Sequence, residues 1–285
     1  MIRSFLVPTC VALTMLTVAA PPSFGQEPIN AADSATQPSP GHVIFKEQFR
    51  FYQLDLDEGP LDRRGDLNEA VFSTTINLGL TSDVALSFRM PVNLRDREFD
   101  LGGFSEKDEG FGDLTALAKW RVYRKDSGAL DTARLSLIGG AQIRTGDTPF
   151  TTDAYNPILG LAYTQIAGRH GLNGSLQWTL TTDGNDEPIF AGESTADLLR
   201  YDLAYLFRLS PRQYTAETHG ALYLVAELNG LYETNGDNEL FLSPGIMYEA
   251  KTWTAELSVQ LPTWQEIDHR AETDFAVIAG VRFSW

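Results

Sequence analysis

The residues of this sequence that could do chemistry are four histidines, one cysteine and two acid-rich stretches, and their spacing suits none of it well. Ester hydrolysis through a His-x-Ser pair would need a serine two residues after His42, His170, His219 or His269, and none supplies it. Asp268 and His269 are adjacent, so in an extended chain their side chains diverge rather than share a proton. Asp183-Gly184-Asn185-Asp186-Glu187 and Asn235-Gly236-Asp237-Asn238-Glu239 gather oxygen ligands around glycine, as Ca²⁺ loops do. Neither completes the calcium-loop pattern, and the same residues are ordinary turn formers. No catalytic set, metal site or cofactor is assigned.

The charged residues are more informative for where they recur than for what they could catalyse. Arg89, Lys119, Arg121, Arg134, Arg200, Asp202 and Glu227 all fall on polar faces of alternating segments. The chain as a whole carries a net charge of −16, more negative still once Arg3 leaves with an export signal. Such a balance excludes nucleic acid as a partner, since phosphate binding needs a basic surface.

Those faces belong to strands. Val84, Leu86, Phe88, Met90, Val92 and Leu94 alternate with Ala85, Ser87, Arg89, Pro91 and Asn93, giving one greasy and one wet face. Phe72, Thr74, Ile76, Leu78 and Leu80 do the same one turn earlier, across Thr81-Ser82-Asp83. The pattern recurs near 114–123, 133–144, 158–166, 172–181, 198–209, 221–230, 240–250, 253–262 and 273–285, after a less regular strand from His42 to Leu54. That predicts about twelve strands of roughly ten residues each, the length a tilted strand needs to cross a bilayer.

A soluble sandwich would also alternate, with its greasy face turned inward. Three features favour a membrane barrel. Connections run long (55–66), short (81–83), long (95–110), shorter (124–131), long (145–155), short (167–171) and long (182–195), then medium (210–218, 231–239), very short (around Lys251) and medium (263–272). The face opposite the apolar one is small and polar, as a lumen requires. The chain also ends on a strand, with Phe275, Val277, Ala279, Val281, Phe283 and Trp285 on one side. The fold class is therefore an all-β, transmembrane, antiparallel up-and-down barrel.

The N-terminus reads as a cleaved signal peptide over residues 1–25: Arg3, an apolar stretch containing Cys10, then Ser23-Phe24-Gly25. Without Cys10 the mature chain has no thiol and hence no disulfide or thiol chemistry. Residues 26–41, rich in Pro, Ser, Ala and Asn, are expected to be a disordered periplasmic tail, and 42–285 the barrel.

Gly280-x-x-Phe283-x-Trp285 resembles the C-terminal assembly signal read by the outer-membrane insertion machinery, although Ile278 replaces its usual polar residue. Gly110-Phe111-Gly112-Asp113, entering a strand, resembles the Gly-x-Gly-Asp motif of the barrel family assigned to a MetA-like pathway of phenol degradation. That family follows with Pro-Thr-Gly, where this chain has Arg144-Thr145-Gly146; Pro157 and Gly160 also resemble its pattern. The resemblance spans roughly Val71 to Trp285 and implies an outer-membrane protein moving small, aromatic molecules.

Read physically, Tyr123 opposite Arg134 would place Asp113 opposite Arg144, an acid–base pair worth roughly 0.2–1 kcal/mol. Gly112, Asp113, Thr145 and Gly146 are then structural rather than ligand-binding. The leading functional expectation is an outer-membrane channel for small, aromatic or anionic solutes. Basic lumen residues outweigh acidic external loops, which predicts weak anion selectivity. The alternatives are a structural or adhesion barrel with a plugged lumen, and, more distantly, an outer-membrane hydrolase. The expected partners are the lipid bilayer, the assembly machinery and a small solute.

Overall fold

The alternating runs form extended segments because each can satisfy its backbone only through a neighbour. The computed structural model describes residues 26–56, 65–99, 105–128, 131–185 and 188–285. The segments are β1 (Val43–Asp55), β2 (Gly65–Gly79), β3 (Val84–Phe99), β4 (Ser105–Phe111), β5 (Leu114–Asp126), β6 (Thr132–Ile143) and β7 (Asn156–Ala167). They continue as β8 (His170–Thr179), β9 (Leu198–Ser210), β10 (Gly220–Glu233), β11 (Asn238–Ala250), β12 (Trp253–Glu266) and β13 (Glu272–Ser284).

Neighbours in sequence pair antiparallel, with β4 and β5 as the exception. Both β4 and β5 pair with β3, β4 against Val92–Glu98 and β5 against Val84–Arg89. They form one wall position broken at Gly112-Asp113, so thirteen segments make a barrel of twelve strands. It closes where β1 pairs with β13, from Ile44↔Ser284 to Asp55↔Glu272. Closure leaves no open edge, the condition for a sheet to survive in hydrocarbon, where water cannot satisfy N–H and C=O groups. Among the described residues no helix is long and apolar enough to cross a membrane.

The outer surface is apolar. Leu159 is 63% exposed, Trp120 57% and Leu257 50%, beside Leu203, Leu224 and Phe283. Water would penalise that belt; lipid does not. Aromatic rings pack along it, Tyr248 on Trp253 at 5.4 Å and Phe45 on Trp285 at 6.5 Å.

The strands differ from their expected bounds chiefly at the end bearing the long connections. The predicted 95–110 loop is mostly strand, because Arg95, Asp96 and Arg97 pair in register with Asp108, Lys107 and Glu106. The hairpins after β10 and β12 likewise extend further before turning. Below Arg121, a bulge shifts the β5–β6 register, setting Tyr123 opposite Leu135 and Arg124 opposite Arg134. The expected Tyr123–Arg134 alignment therefore fails at that end, although Leu114 opposite Ile143 keeps the intended register at the other.

The inner face corrects the reading more deeply. It is not uniformly small and polar. Leu206, Val225, Met247 and Ile278 point inward and form an apolar cluster around Ile29; Leu117, Ile138, Ile158 and Ala162 form another around Ala35. Ile29 and Ala35 belong to the segment expected to be a disordered periplasmic tail. That expectation is overturned: the segment lies inside the barrel, with Ile29, Asn30 and Ala35 buried. Enclosing an isoleucine side chain contributes about 1.5–3 kcal/mol, which helps offset the entropy of ordering a short segment. Residues 1–25, expected to be an export signal, lie outside the described residues.

Candidate permeation site in the barrel lumen

The inner charged residues hold this N-terminal segment. Glu227 on β10 accepts the backbone N–H groups of Ile29 (2.7 Å), Asn30 (3.0 Å) and Ala31 (2.8 Å). Asp202 on β9 accepts from Ala32 N–H at 2.8 Å, Ser175 Oγ at 2.9 Å and Asn229 Nδ2 at 2.8 Å. Lys119 Nζ reaches Asp33 Oδ1 at 2.7 Å and donates to the Ser34 carbonyl at 2.9 Å. Carboxylates on one wall and an ammonium on the other thus satisfy a chain that has no secondary structure of its own to do so.

Residues not singled out from sequence complete the grip. Arg282 on β13 binds Glu27 Oε2 at 2.7 Å, the Pro28 carbonyl at 2.9 Å and the Glu256 carboxylate. Gln48 donates to the Ile29 carbonyl at 3.0 Å, and Lys46 Nζ lies 3.1 Å from Glu256. A readable signal existed for this set, since Lys46, Gln48, Glu256 and Arg282 all occupy the polar side of their strands.

The remaining lumen candidates separate into two groups. Arg89 and Arg200 line open space, Arg200 also contacting Asp202 at 3.3 Å. Arg121 instead caps the β2–β3 turn through Asp83 Oδ1 at 3.2 Å, and Arg134 donates to Thr132 Oγ1 at 3.1 Å near the β5–β6 turn. Those two sit at the end of the barrel that carries its termini.

At the opposite end Asp113 does not pair with Arg144. Arg144 binds Asp153, an exposed neighbour in its own loop. Asp113 is buried and accepts from Thr145 N–H (3.0 Å), Gly146 N–H (2.9 Å), Thr152 N–H (2.9 Å) and Thr151 Oγ1 (2.8 Å). Loop amides and threonine hydroxyls supply what the arginine was expected to supply, while Arg144, one residue past the end of β6, is engaged by Asp153. A Cβ on Gly146 would fall 2.8 Å from the backbone of Phe111 and Gly112, so this loop can seat here only with glycine. Gly110 and Gly112 are similarly close-packed, against Asp147 and Pro91. The fastened loop brings Phe150 inward under Arg95, 4.8 Å from its ring centroid. The 180–197 connection also turns in, placing Phe190 against Tyr52 at 4.9 Å.

The acid-rich stretches make intramolecular contacts. Asp237 accepts from His269 Nδ1 at 2.9 Å, while Glu239 and Glu233 flank Arg270 at 3.0 and 2.8 Å. Asp186 and Glu187 lie outside the described residues. Among described residues no cluster of His, Cys, Asp and Glu is arranged to hold a metal ion. His170 binds the Tyr205 hydroxyl at 2.6 Å at the terminal end, far from His269 in the fold.

The residues of the C-terminal motif meet at the seam. Trp285 exchanges backbone hydrogen bonds with Val43 at 2.8 and 3.1 Å, and Phe283 faces outward. Gly280 faces inward, where a Cβ would meet the Glu256 side chain at 2.6 Å.

Between the N-terminal segment and the β1–β5 wall the lumen holds a cavity of about 400 Å³. Its lining runs from Pro38, Ile44 and Asn77 near the terminal end to Phe150, Phe190 and Glu193 beneath the loops.

Comparison with known proteins agrees with this architecture. The family described as "Putative MetA-pathway of phenol degradation" matches residues 56–276. An outer membrane channel from Pseudomonas putida F1 shares the fold with a TM-score of 0.58 at 14% identity, over 90% of this chain and 100% of that one. The β domain of the Bordetella autotransporter BrkA gives 0.52 at 14% identity, over 86% and 100%. No curated protein matches the sequence. At such identities the likeness is one of fold, that of an outer-membrane barrel.

Proposed function

This chain belongs to the MetA-pathway phenol-degradation family, and from that membership we propose that it is an outer-membrane diffusion channel for small solutes, with a preference for anions. The observation that carries the reading is the cavity beside the N-terminal segment, whose lining extends from one end of the barrel to the other. Arg50 and Arg89 on that lining have no carboxylate partner among the described residues, whereas Arg200 contacts Asp202, the carboxylates Glu27, Asp33 and Glu69 are paired with Arg282, Lys119 and Arg95, and Glu193 and Asp113 are held by Arg95 and by loop N–H groups. Fields between exposed charges decay over about 8 Å at physiological salt, so uncompensated bases in a narrow path outrank acids at a wide mouth.

The reading includes export through the signal over residues 1–25 and insertion by the outer-membrane assembly machinery through Gly280, Phe283 and Trp285. Small aromatic solutes fit it because Tyr52 and Phe190 present rings to the same space. A second reading, a structural barrel with a plugged lumen, is favoured by one observation: the N-terminal segment occupies the centre of the lumen.

Planar-bilayer recording separates the two. Conductance with a reversal potential favouring anions, lost on Thr75→Trp in the cavity wall and inverted by Arg50→Glu with Arg89→Glu, supports the channel. A folded, heat-modifiable protein that passes no current supports the plugged barrel, and a cation preference in the unaltered protein refutes the anion assignment.

A further inference from the structure

We propose that the lumen cavity is a binding site for a small aromatic carboxylate, its anionic group held by Arg89 and Arg50 and its ring lying against Tyr52 and Phe190. The proposal rests on the channel reading for its purpose, solute recognition, and on the geometry alone for its existence.

The argument begins with charge. Among the described residues Arg89 has no hydrogen-bond or ion-pair partner, yet it faces the lumen cavity. Its strongest electrostatic neighbours are Arg200 and Arg50, both repelling it, ahead of the opposing Asp33. Among the described residues Arg50 donates to neutral groups, Gln48 Oε1 at 2.9 Å and the Tyr52 hydroxyl at 3.4 Å.

The acids whose charges act on these two guanidiniums, Asp33 on Arg89 and Glu227 and Glu256 on Arg50, are committed elsewhere. Asp33 is bound by Lys119, Glu256 by Lys46 and Arg282, and Glu227 by the amides of residues 29–31. Like charges converging in a partly enclosed space are unfavourable unless water or an anion compensates them. A carboxylate suits guanidinium because its two oxygens match the planar fork.

The ring half of the site is independent of the charges. Tyr52 and Phe190 pack edge to face at 4.9 Å. A second cavity of about 200 Å³ is lined by Arg50, Tyr52, Phe190 and Arg200 together. Apolar and cationic surfaces therefore meet at one place, which an aryl group bearing a carboxylate complements and a bare inorganic anion does not.

The test titrates benzoate, acetate and benzyl alcohol into the full, folded chain in detergent, read by calorimetry. Saturable benzoate binding is expected, with acetate at least tenfold weaker and benzyl alcohol showing no saturation. Arg89→Gln and Arg50→Gln should each weaken benzoate about tenfold, and Phe190→Ala should weaken benzoate while leaving acetate unchanged. Arg89→Lys, which keeps the charge but not the fork, provides the measurement if the glutamine variant does not fold, with a smaller loss expected. Benzoate binding that does not saturate, is unaffected by these arginine changes, or is matched by benzyl alcohol overturns the site. Binding without any bilayer current would refute the channel and leave the site standing; current that benzoate never blocks, with no calorimetric binding, would refute the site and leave the channel.

Discussion

Glu227 Oε1 accepts the backbone N–H of Ile29 at 2.7 Å, joining residues 198 positions apart in the sequence. One carboxylate on β10 thereby holds the start of the N-terminal segment in the centre of the barrel, with Asn30 and Ala31 on the same group.

Removing that anchor should loosen the segment. Glu227→Ala leaves buried amides unpaired at a cost of roughly 1–3 kcal/mol, while Glu227→Gln retains an oxygen acceptor and loses less. We expect protease cleavage within residues 26–41 and a larger single-channel conductance, both greatest in Glu227→Ala. A segment as protected in that variant as in the unaltered chain would mean that Ile29 packing and the Arg282–Glu27 pair suffice to hold it.

At the other end the Asp113 contacts make a contrasting prediction. Asp113→Ala should destabilise the barrel by about 1–3 kcal/mol, because loop amides and threonine hydroxyls lose a buried acceptor. Arg144→Ala should be nearly silent, since its exposed pair with Asp153 contributes little. Urea unfolding in detergent reads both, and the Asp113/Arg144 double variant should be additive. A coupling above about 0.5 kcal/mol would restore the cross-strand pair.

His269 provides a pH-dependent contact outside the membrane-spanning part of the barrel. Its hydrogen bond from Nδ1 to Asp237 favours the imidazolium and raises its pKa above the usual histidine value. A raised folded-state pKa means the contribution is complete below roughly pH 6.5, the unfolded value, and is lost as pH rises through the folded pKa. The side chain is half exposed, so solvent screens the pair and the effect is small. Protection factors in the 234–237 turn, taken relative to the intrinsic exchange rate at each pH, should fall from acid to mildly alkaline pH, and His269→Gln should flatten that fall. A dependence of the opposite sign would place the proton elsewhere.

The C-terminal motif can be tested at the seam. Deleting Phe283–Trp285 removes the outward Phe283 and both hydrogen bonds between Trp285 and Val43. Export should continue, while the truncated chain accumulates in the periplasm and is degraded. Fractionation of cells checks this; normal amounts in the outer membrane would argue that the seam closes without an assembly signal.

The barrel itself was legible in the sequence because strand periodicity is local. Each residue from Val84 to Leu94 reports its face through its immediate neighbours, and the same rule repeated along the chain yields the strand number, while connection lengths and the polar opposite face turn the apolar side outward. The contents of the lumen were not local. Gln26 to Gly41 has the composition of a disordered tail, and Ile29 becomes an anchor only when Leu206, Val225, Met247 and Ile278 surround it from four strands. Their inward apolar side chains were visible as exceptions to the alternation, but nothing in their spacing named an occupant. Asp113 shows the same division. The register that sets it opposite Arg144 follows from strand pairing, whereas its actual donors come from a loop whose path depends on glycine packing and on backbone amides. Every amino acid but proline has such an amide, so no sequence pattern marks which ones will turn toward a carboxylate; only the folded backbone decides it.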